Sequence, residues 1–554
     1  MTLKLGPVLS FRGLIKHHWC VSALVVVEDG QAAPELTWQA SNGAPVMVKA
    51  KPLGAFPGAA PANRIWRFDL SVALEQAPRQ INYSLAGSAL KYVFSVPAKD
   101  DIPNMAYVSC NGFSSLKLMN NTKDPYAMWR NLGQVHTHRA YHLLMMGGDQ
   151  VYADSMFDTI PALHDWLALP RAKKIKRPYT ATMARAVERF YYELYLKRWA
   201  QPDMATMFAA DPTVMMWDDH DIFDGWGSYD PSLQNSPVYL GIFASARTCF
   251  SLYQQQLALD ETHPAAIPGQ AAYNLGLDLG PLAILALDTR SERTNAQVIS
   301  QISWKAIYDW LSTLKNHCSH LLVMSSIPVV HPDFSMLEKA LSIFPGQQEL
   351  EDDLRDHWLS NPHKQERLRL IHRLLDFSET KQCRVTLLSG DVHVGAVGVV
   401  KTTRNGAGGA PQTLTQLTSS GIVHPPPPGM VLFFLENVVG KEMSDDRDIS
   451  STMTEFPGTR HYYYIGARNW LALEPDAQQR IWANWHVEGE QHPFTKAIHP
   501  VDFKMPSAEK VSGYPLRTEK ALNAQCFYFS FGTTAGIGCF AKPIWKRFPP
   551  SFVP

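Results

Sequence analysis

Two turns in this sequence carry residue types suited to metal chemistry. In GGDQVYAD (147–154), Asp149 follows the apolar run YHLLMM and a pair of glycines. Glycine lets a backbone turn sharply at the end of a buried strand. The Asp149 carboxylate then projects from that strand end, where it can bridge two cations. Tyr152 lies three residues on and reaches the same point, and Asp154 is placed to accept a hydrogen bond from behind. In SGDVHVG (389–395), Asp391 and His393 stand two apart after the run RVTLLS. In an extended segment they face one side, and carboxylate with imidazole suits a hard or borderline cation. The plainer alternatives are a helix N-cap at Asp149 with a packed tyrosine, and an aspartate turn with a core histidine at 391–393.

A third segment, WDDHDIFDGWG (217–227), places Asp218, Asp219, His220, Asp221 and Asp224 within seven residues. Carboxylates crowded at one strand end repel one another unless cations neutralise them. His220 is a candidate ligand or general acid. A solvated acidic loop is the alternative, but Trp217, Phe223 and Trp226 fit solvent poorly and would wall a site. DTRSER (288–293) offers Arg290 and Arg293 after the run LAILAL. Guanidinium groups grip phosphate oxygens two at a time, although an Asp288–Arg290 ion pair is the structural alternative. Cys110 and Asn111 close the run MAYVSCN, and a buried cysteine is ordinarily core. His331 in SSIPVVHP and His424 in SSGIVHP also follow apolar runs and are read as accessory groups. No GxGxxG, GxxxxGK[ST], GxSxG or HExxH is present, so glycine-loop phosphate binding, serine-elbow chemistry and zincin chemistry have no support.

The elements that must position these turns follow from the apolar pattern. MAYVSC, YHLLMMGG, TVMMWDD, PLAILALD, HLLVMSSIP and RVTLLSGD are short continuous apolar runs, as a sheet buried on both faces requires. Helical segments such as ATMARAVERFYYELYLKRW and SWKAIYDWLSTLKN lie between them, which predicts an α/β fold. Ligands bind outside the carboxyl ends of such strands, so turns remote in sequence can converge. Residues 1–98 read as a small β-rich, sandwich-like domain, with PAKDDIP (97–103) as the linker into the second domain, 99–554. HYYYIGARNWLAL and RIWANWHVEGE read as strands that extend a sheet, and GAGGAP (406–411) and HPPPPGM (424–430) as loops. The last thirty residues follow no pattern that places them.

These residues, in this order, resemble the PhoD-like alkaline phosphatase family, a branch of the metallophosphatases. The resemblance runs through SCN (109–111), GGDQVYAD, WDDHDIFDGWGS (217–228), LDTRSER (287–293), QISWKAIYDWL (301–311) and SGDVHVG, and covers residues 105–440. It implies a four-layer αββα sandwich preceded by a small N-terminal β-sandwich domain. It also implies iron and calcium as cofactors, with Cys110, Asp149 and Tyr152 on the iron and Asp149 bridging to calcium. Asp219, Asp391 and His393 would complete the metal shell. Secreted members often have asparagine where this chain has Asp224, and a carboxylate there still suits calcium.

The activity expected is metal-dependent hydrolysis of a small phosphate ester, mono- or diester, by an activated water. His220 would protonate the leaving oxygen, and Arg290 and Asn111 would hold the phosphate. Other divalent metals could serve. The alternative is a non-catalytic, metal-stabilised binding protein of the same fold. Carboxylic-ester or haloalkane cleavage lacks a nucleophile elbow. Composition agrees with a globular protein: 554 residues, 45% hydrophobic and 18% charged. Fifty-one basic and 51 acidic residues cancel, which argues against a general nucleic-acid or membrane-surface role. Seven scattered cysteines without CxxC predict free thiols. The N-terminus carries no signal peptide or twin-arginine pattern and no run spans a membrane, so a cytoplasmic location is expected.

Overall fold

The computed structural model describes residues 2–28, 33–41, 43–55, 63–316, 318–331, 363–405, 411–437 and 439–501. The six apolar runs all form strands, and they divide between two sheets. Met105–Val108, Leu143–Met146 and Thr213–Met215 lie side by side and parallel in a ten-stranded sheet. Leu282–Ala286, His320–Met324 and Arg384–Ser389 lie side by side and parallel in a second, nine-stranded sheet.

The two sheets are layers of one sandwich. Along the second sheet, Leu282, Ile284, Ala286, Leu322 and Met324 share a core with Met105–Val108 and Leu143–Met146. The alternate residues Ala283, Leu285, Leu321 and Val323 face a separate core with helices Gln301–Thr313 and Lys364–Lys381. Period-two alternation thus serves two apolar environments, which is why these strands read as unbroken apolar runs. On the far side of the first sheet pack helices Ala127–His138, Ala181–Trp199 and Pro202–Ala210, including Trp129, Tyr191 and Phe208. The α/β, four-layer arrangement is the one expected.

The first 98 residues do not close on themselves as a separate unit. Leu3–Ile15 pairs in parallel with Thr213–Met215 through Ser10 and Thr213, so this strand and its neighbours His18–Glu28, Asn63–Ala73 and Lys51–Ala55 continue the main sheet. Only Val46–Lys49, Glu35–Ala40, Arg79–Leu85 and Lys91–Val96 form a small sheet of their own. Its inward residues Leu36, Ile81 and Phe94 share the core of the main sheet. The sandwich expected here exists, but one of its faces belongs to the large layer. Asn469–Pro475 pairs with Met105–Val108 and brings Ile481–Val487 with it, so the late strands extend the first sheet as expected. GAGGAP lies largely outside the described residues, and the last thirty residues wholly so. HPPPPGM is loop only to Pro428, because helix Gly429–Asn437 starts there. The five described cysteines are free, and no described helix is long and apolar enough to cross a membrane.

Registers align the strand ends. Met146 sits opposite both Val108 and Met215, and Met324 sits opposite both Ala286 and Leu388. The polar turn after each strand therefore opens at one common edge of the sandwich.

Candidate metal centre

At that edge the turns are laced together by backbone bonds. Cys110 N donates to Gly148 O at 3.2 Å, Asn111 N to Asp149 O at 2.8 Å, and Gly390 N to Ser326 O at 3.0 Å. Close approach depends on the glycine pair: a Cβ on Gly147 would fall 2.0 Å from the Tyr107 hydroxyl oxygen. At Gly148, φ is +122° and a Cβ would lie 2.9 Å from that of Asp218. Only glycine lets GGDQ lie against WDDH.

Two convergent groups of ligand atoms result, each within 4.8 Å of one another: Asp149, Asp219 and His220, and Asp149, Asp218, Asp219 and Asp391. Asp149 and Asp219 belong to both groups. Asp149 is 1% exposed, its Oδ1 has no hydrogen-bond partner among the described residues, and no helix begins there, so it is not an N-cap. Burial, joined by the charges of Asp218, Asp219 and Asp221, raises its carboxyl well above the usual range, against the pull of His220. Four carboxyl groups this close, three of them buried, are unfavourable without positive charge among them, and a cation supplies it. The residues present therefore fit a metal.

Cys110 and Tyr152 flank the shared aspartate. Cys110 Sγ lies 3.5 Å and Tyr152 Oη 3.3 Å from Asp149 Oδ2, and Tyr152 Oη lies 3.4 Å from His393 Nε2. Burial raises both the thiol and the phenol well above their ordinary values, with Asp149 adding to each. Cys110, Asp149, Asp391 and His393 all have positive φ, at 53°, 57°, 68° and 54°. Left-handed backbone of this kind costs about 1–3 kcal/mol per residue and collects at functional sites. It also corrects the extended reading of SGDVHVG. Asp391 and His393 meet the site through a left-handed bend, in which Val392 N donates to Gly390 O, and not through strand alternation.

His220 is 5% exposed, with Nδ1 2.8 Å from Asp154 Oδ2, and Tyr152 stacks on it at 4.2 Å. Burial alone would lower this imidazole, but Asp154, Asp219 and Asp149 outweigh it and hold it well above its ordinary value. Asp154 is thus the acceptor behind the ligands that its position suggested, and it also receives Asp224 N at 2.7 Å. The Asp224 carboxylate belongs to neither convergent group; its backbone oxygen takes the Tyr229 hydroxyl at 2.7 Å.

Three side chains next to the metal turns are engaged with the interior. Asn111 does not reach toward a phosphate: its Nδ2 donates to Gln150 O at 3.2 Å and Met204 Sδ at 3.1 Å, and its Oδ1 accepts from Trp129 Nε1 at 2.8 Å. Asn111→Ala should therefore lower stability by about 1–3 kcal/mol, the cost of stranding buried partners, without raising KM. Thermal melts beside substrate saturation curves check this. Arg290 is fully buried and turned inward. It pairs with Asp218 through Nε, lies 3.4 Å from Asp219 through Nη2, and donates from Nη1 to Trp226 O at 3.1 Å. Its guanidinium lies among these carboxylates and offsets their charge. Asp288 is not its ion-pair partner but a turn acceptor, taking Trp217 Nε1 at 2.8 Å and the backbone of Tyr273, Arg290 and Ser291.

Some contributors were given no specific role from sequence. Asp221 accepts from Gln150 N, Val151 N, Asp218 N and Gln254 Nε2, and so fastens GGDQV to WDDH. Burial pushes it up to about 7. It and Asp218 form a capping box on the short helix Asp219–Asp221. Ser326 bonds Asp218 at 2.9 Å, and Ser420 meets Cys110 Sγ at 2.9 Å. Their signal in the sequence is a Ser-Ser pair directly after a buried strand. His424, read as accessory, stacks on His393 at 3.6 Å.

Comparison with known proteins agrees with this frame. The model of PhoD-related phosphatases matches residues 75–346 and 334–446. An uncharacterized protein of Saccharomyces cerevisiae is 30% identical over 397 residues, which is 61% of this chain and 56% of the relative. The chain thus spans about half the length of that relative. Among solved structures, a purple acid phosphatase from yellow lupin seeds aligns over 88% of this chain and 73% of its own, with 12% identity and a TM-score of 0.45. The family model covers most of the chain and contains every turn of the centre, so this chain belongs to the PhoD-related phosphatase family.

Proposed function

We propose that this protein hydrolyses phosphate esters with a water activated by cations held at Asp149, Asp219 and Asp391. The observation that carries this reading is the pair of ligand groups sharing Asp149 and Asp219, in a buried cluster of carboxylates. Cations bound there would make water nucleophilic at neutral pH and neutralise charge on the phosphoryl oxygens. Cys110 and Tyr152 lie against Asp149, and His393 lies against Tyr152, a thiol, phenol and imidazole set suited to iron. Asp218, Asp219 and Asp391 offer only oxygen, which suits calcium or another hard cation. This chain's residues would do the rest. Asp154 fixes the His220 ring through Nδ1, so that His220 can deliver a proton to the leaving oxygen. Tyr152 and His424 wall the site, stacked at 5.6 Å. The substrate class is a small organic phosphate mono- or diester.

Purified protein assayed on bis(4-nitrophenyl) phosphate and 4-nitrophenyl phosphate, before and after chelation, tests the reading. Turnover that chelator removes and cation restores supports it. Cation binding with no turnover on any ester would leave a binding protein instead. The role of His220 has its own readout. His220→Gln should slow hydrolysis of an alkyl phosphate ester by about 10²–10⁴-fold, because a poor leaving group needs the proton. A nitrophenyl ester should suffer far less. Equal losses on both would remove the general-acid role.

A further inference from the structure

His424 is used by none of the steps above, yet it is built into the centre. It is 8% exposed, and its ring stacks on His393 at 3.6 Å with 17° between the planes. Its backbone is pinned to the Cys110 turn, with His424 N donating to Cys110 O at 3.1 Å. Gly421 fits there because its neighbour is Cys110: a Cβ on it would stand 3.0 Å from that of Cys110 and 3.1 Å from that of His424. The whole segment SSGIVH is thus held against the metal edge.

The ring's orientation is fixed as well. Nδ1 lies 2.8 Å from Pro425 O. A carbonyl oxygen only accepts, so Nδ1 carries the hydrogen. In the neutral ring Nε2 then presents a lone pair, and this buried atom has no hydrogen-bond partner among the described residues. An imidazole that donates one nitrogen to a backbone carbonyl and leaves the other as a bare lone pair has the arrangement seen in metal-ligating histidines.

We propose that His424 Nε2 is a further ligand of the centre, binding a borderline transition cation on the side shared with His393 and Tyr152. The inference rests on the proposed cation binding of the site. It adds a nitrogen donor to those that His220 and His393 offer, with Pro425 O holding Nδ1. Imidazole donors favour transition cations over calcium, so His424 would bias the site toward the former.

Chelated full-length protein titrated with Co2+ alone tests this, read by Co2+ visible absorption and dissociation constant. His424→Gln keeps the bulk of the stack, and His424→Ala opens a space that free imidazole can fill. Both should weaken Co2+ binding at least tenfold and change the absorption band, and millimolar imidazole should restore both in the alanine variant. Melting curves identify folded variants; if the alanine variant unfolds, the glutamine variant decides. Unchanged affinity and spectrum in a folded variant overturns the proposal. So does a loss confined to the alanine variant that imidazole leaves unrepaired, since that is packing. A wild type that binds no Co2+ overturns this ligand and leaves the hydrolytic reading to the chelation assay. A wild type that binds beside variants that bind equally sinks the ligand alone.

Discussion

Asp149→Asn should reduce phosphate-ester turnover to background while the protein stays folded. This carboxylate and that of Asp219 are common to both sets of converging ligand atoms, and Asp149 Oδ1 is bare. An amide keeps the shape and one oxygen but loses the charge that binds cations, and its nitrogen turns a donor toward them. Two cation positions are damaged at once, so the loss should exceed that from Asp224→Asn, whose carboxylate belongs to neither set. Stability should hold or rise, because one charge leaves a buried cluster of like charges. Metal analysis, turnover and melting of the same preparation check all three expectations. An Asp149→Asn protein with wild-type turnover in metal-defined buffer would remove the assignment.

Arg290→Ala should cost about 3–5 kcal/mol of stability, enough to unfold much of the chain near body temperature. This guanidinium is fully buried, and its pairing with Asp218 and Asp219 is the main fixed positive charge in the cluster besides His220. Removing it leaves two buried carboxylates uncompensated, which costs more than the pair itself contributes. Lysine will not replace it, since a single ammonium cannot meet Asp218, Asp219 and Trp226 O together. A phosphate-binding arginine would behave differently: its loss would raise KM and leave the melting temperature nearly unchanged. Urea titration of Arg290→Ala beside Arg290→Ala/Asp218→Asn separates the readings. The double variant should recover part of the lost stability, because it removes one of the stranded charges.

The layers were legible because each strand of the two-sheet core is an unbroken apolar run ending in a polar turn. The membership of the leading strands was not. Leu3–Ile15 has the composition of any buried strand, and nothing in it says that its parallel partner lies some two hundred residues on, at Thr213. At the site, residue type and spacing singled out Asp149, Tyr152, Asp219, His220, Asp391 and His393, the family resemblance added Cys110, and the fold brings these residues to one edge. What spacing could not give is direction. Arg290 and Asn111 stand beside the metal turns but point inward, because a buried carboxylate pair and the Trp129 indole need partners more than solvent does. Asp221, indistinguishable in sequence from its acidic neighbours, became a backbone clasp because four N–H donors surround it. His424 was obscured for the opposite reason: a lone histidine before proline is ordinary in sequence, and only its stack on His393 marks it.

On the proposed function, cations at the Asp149 edge make this chain a hydrolase. The most direct test is one titration: chelated wild-type protein, verified free of metal by elemental analysis, with phosphate-ester turnover followed as single cations are returned. Turnover that is absent in the metal-free protein and rises in step with bound cation is the result predicted. Undiminished turnover in protein holding no metal would contradict it.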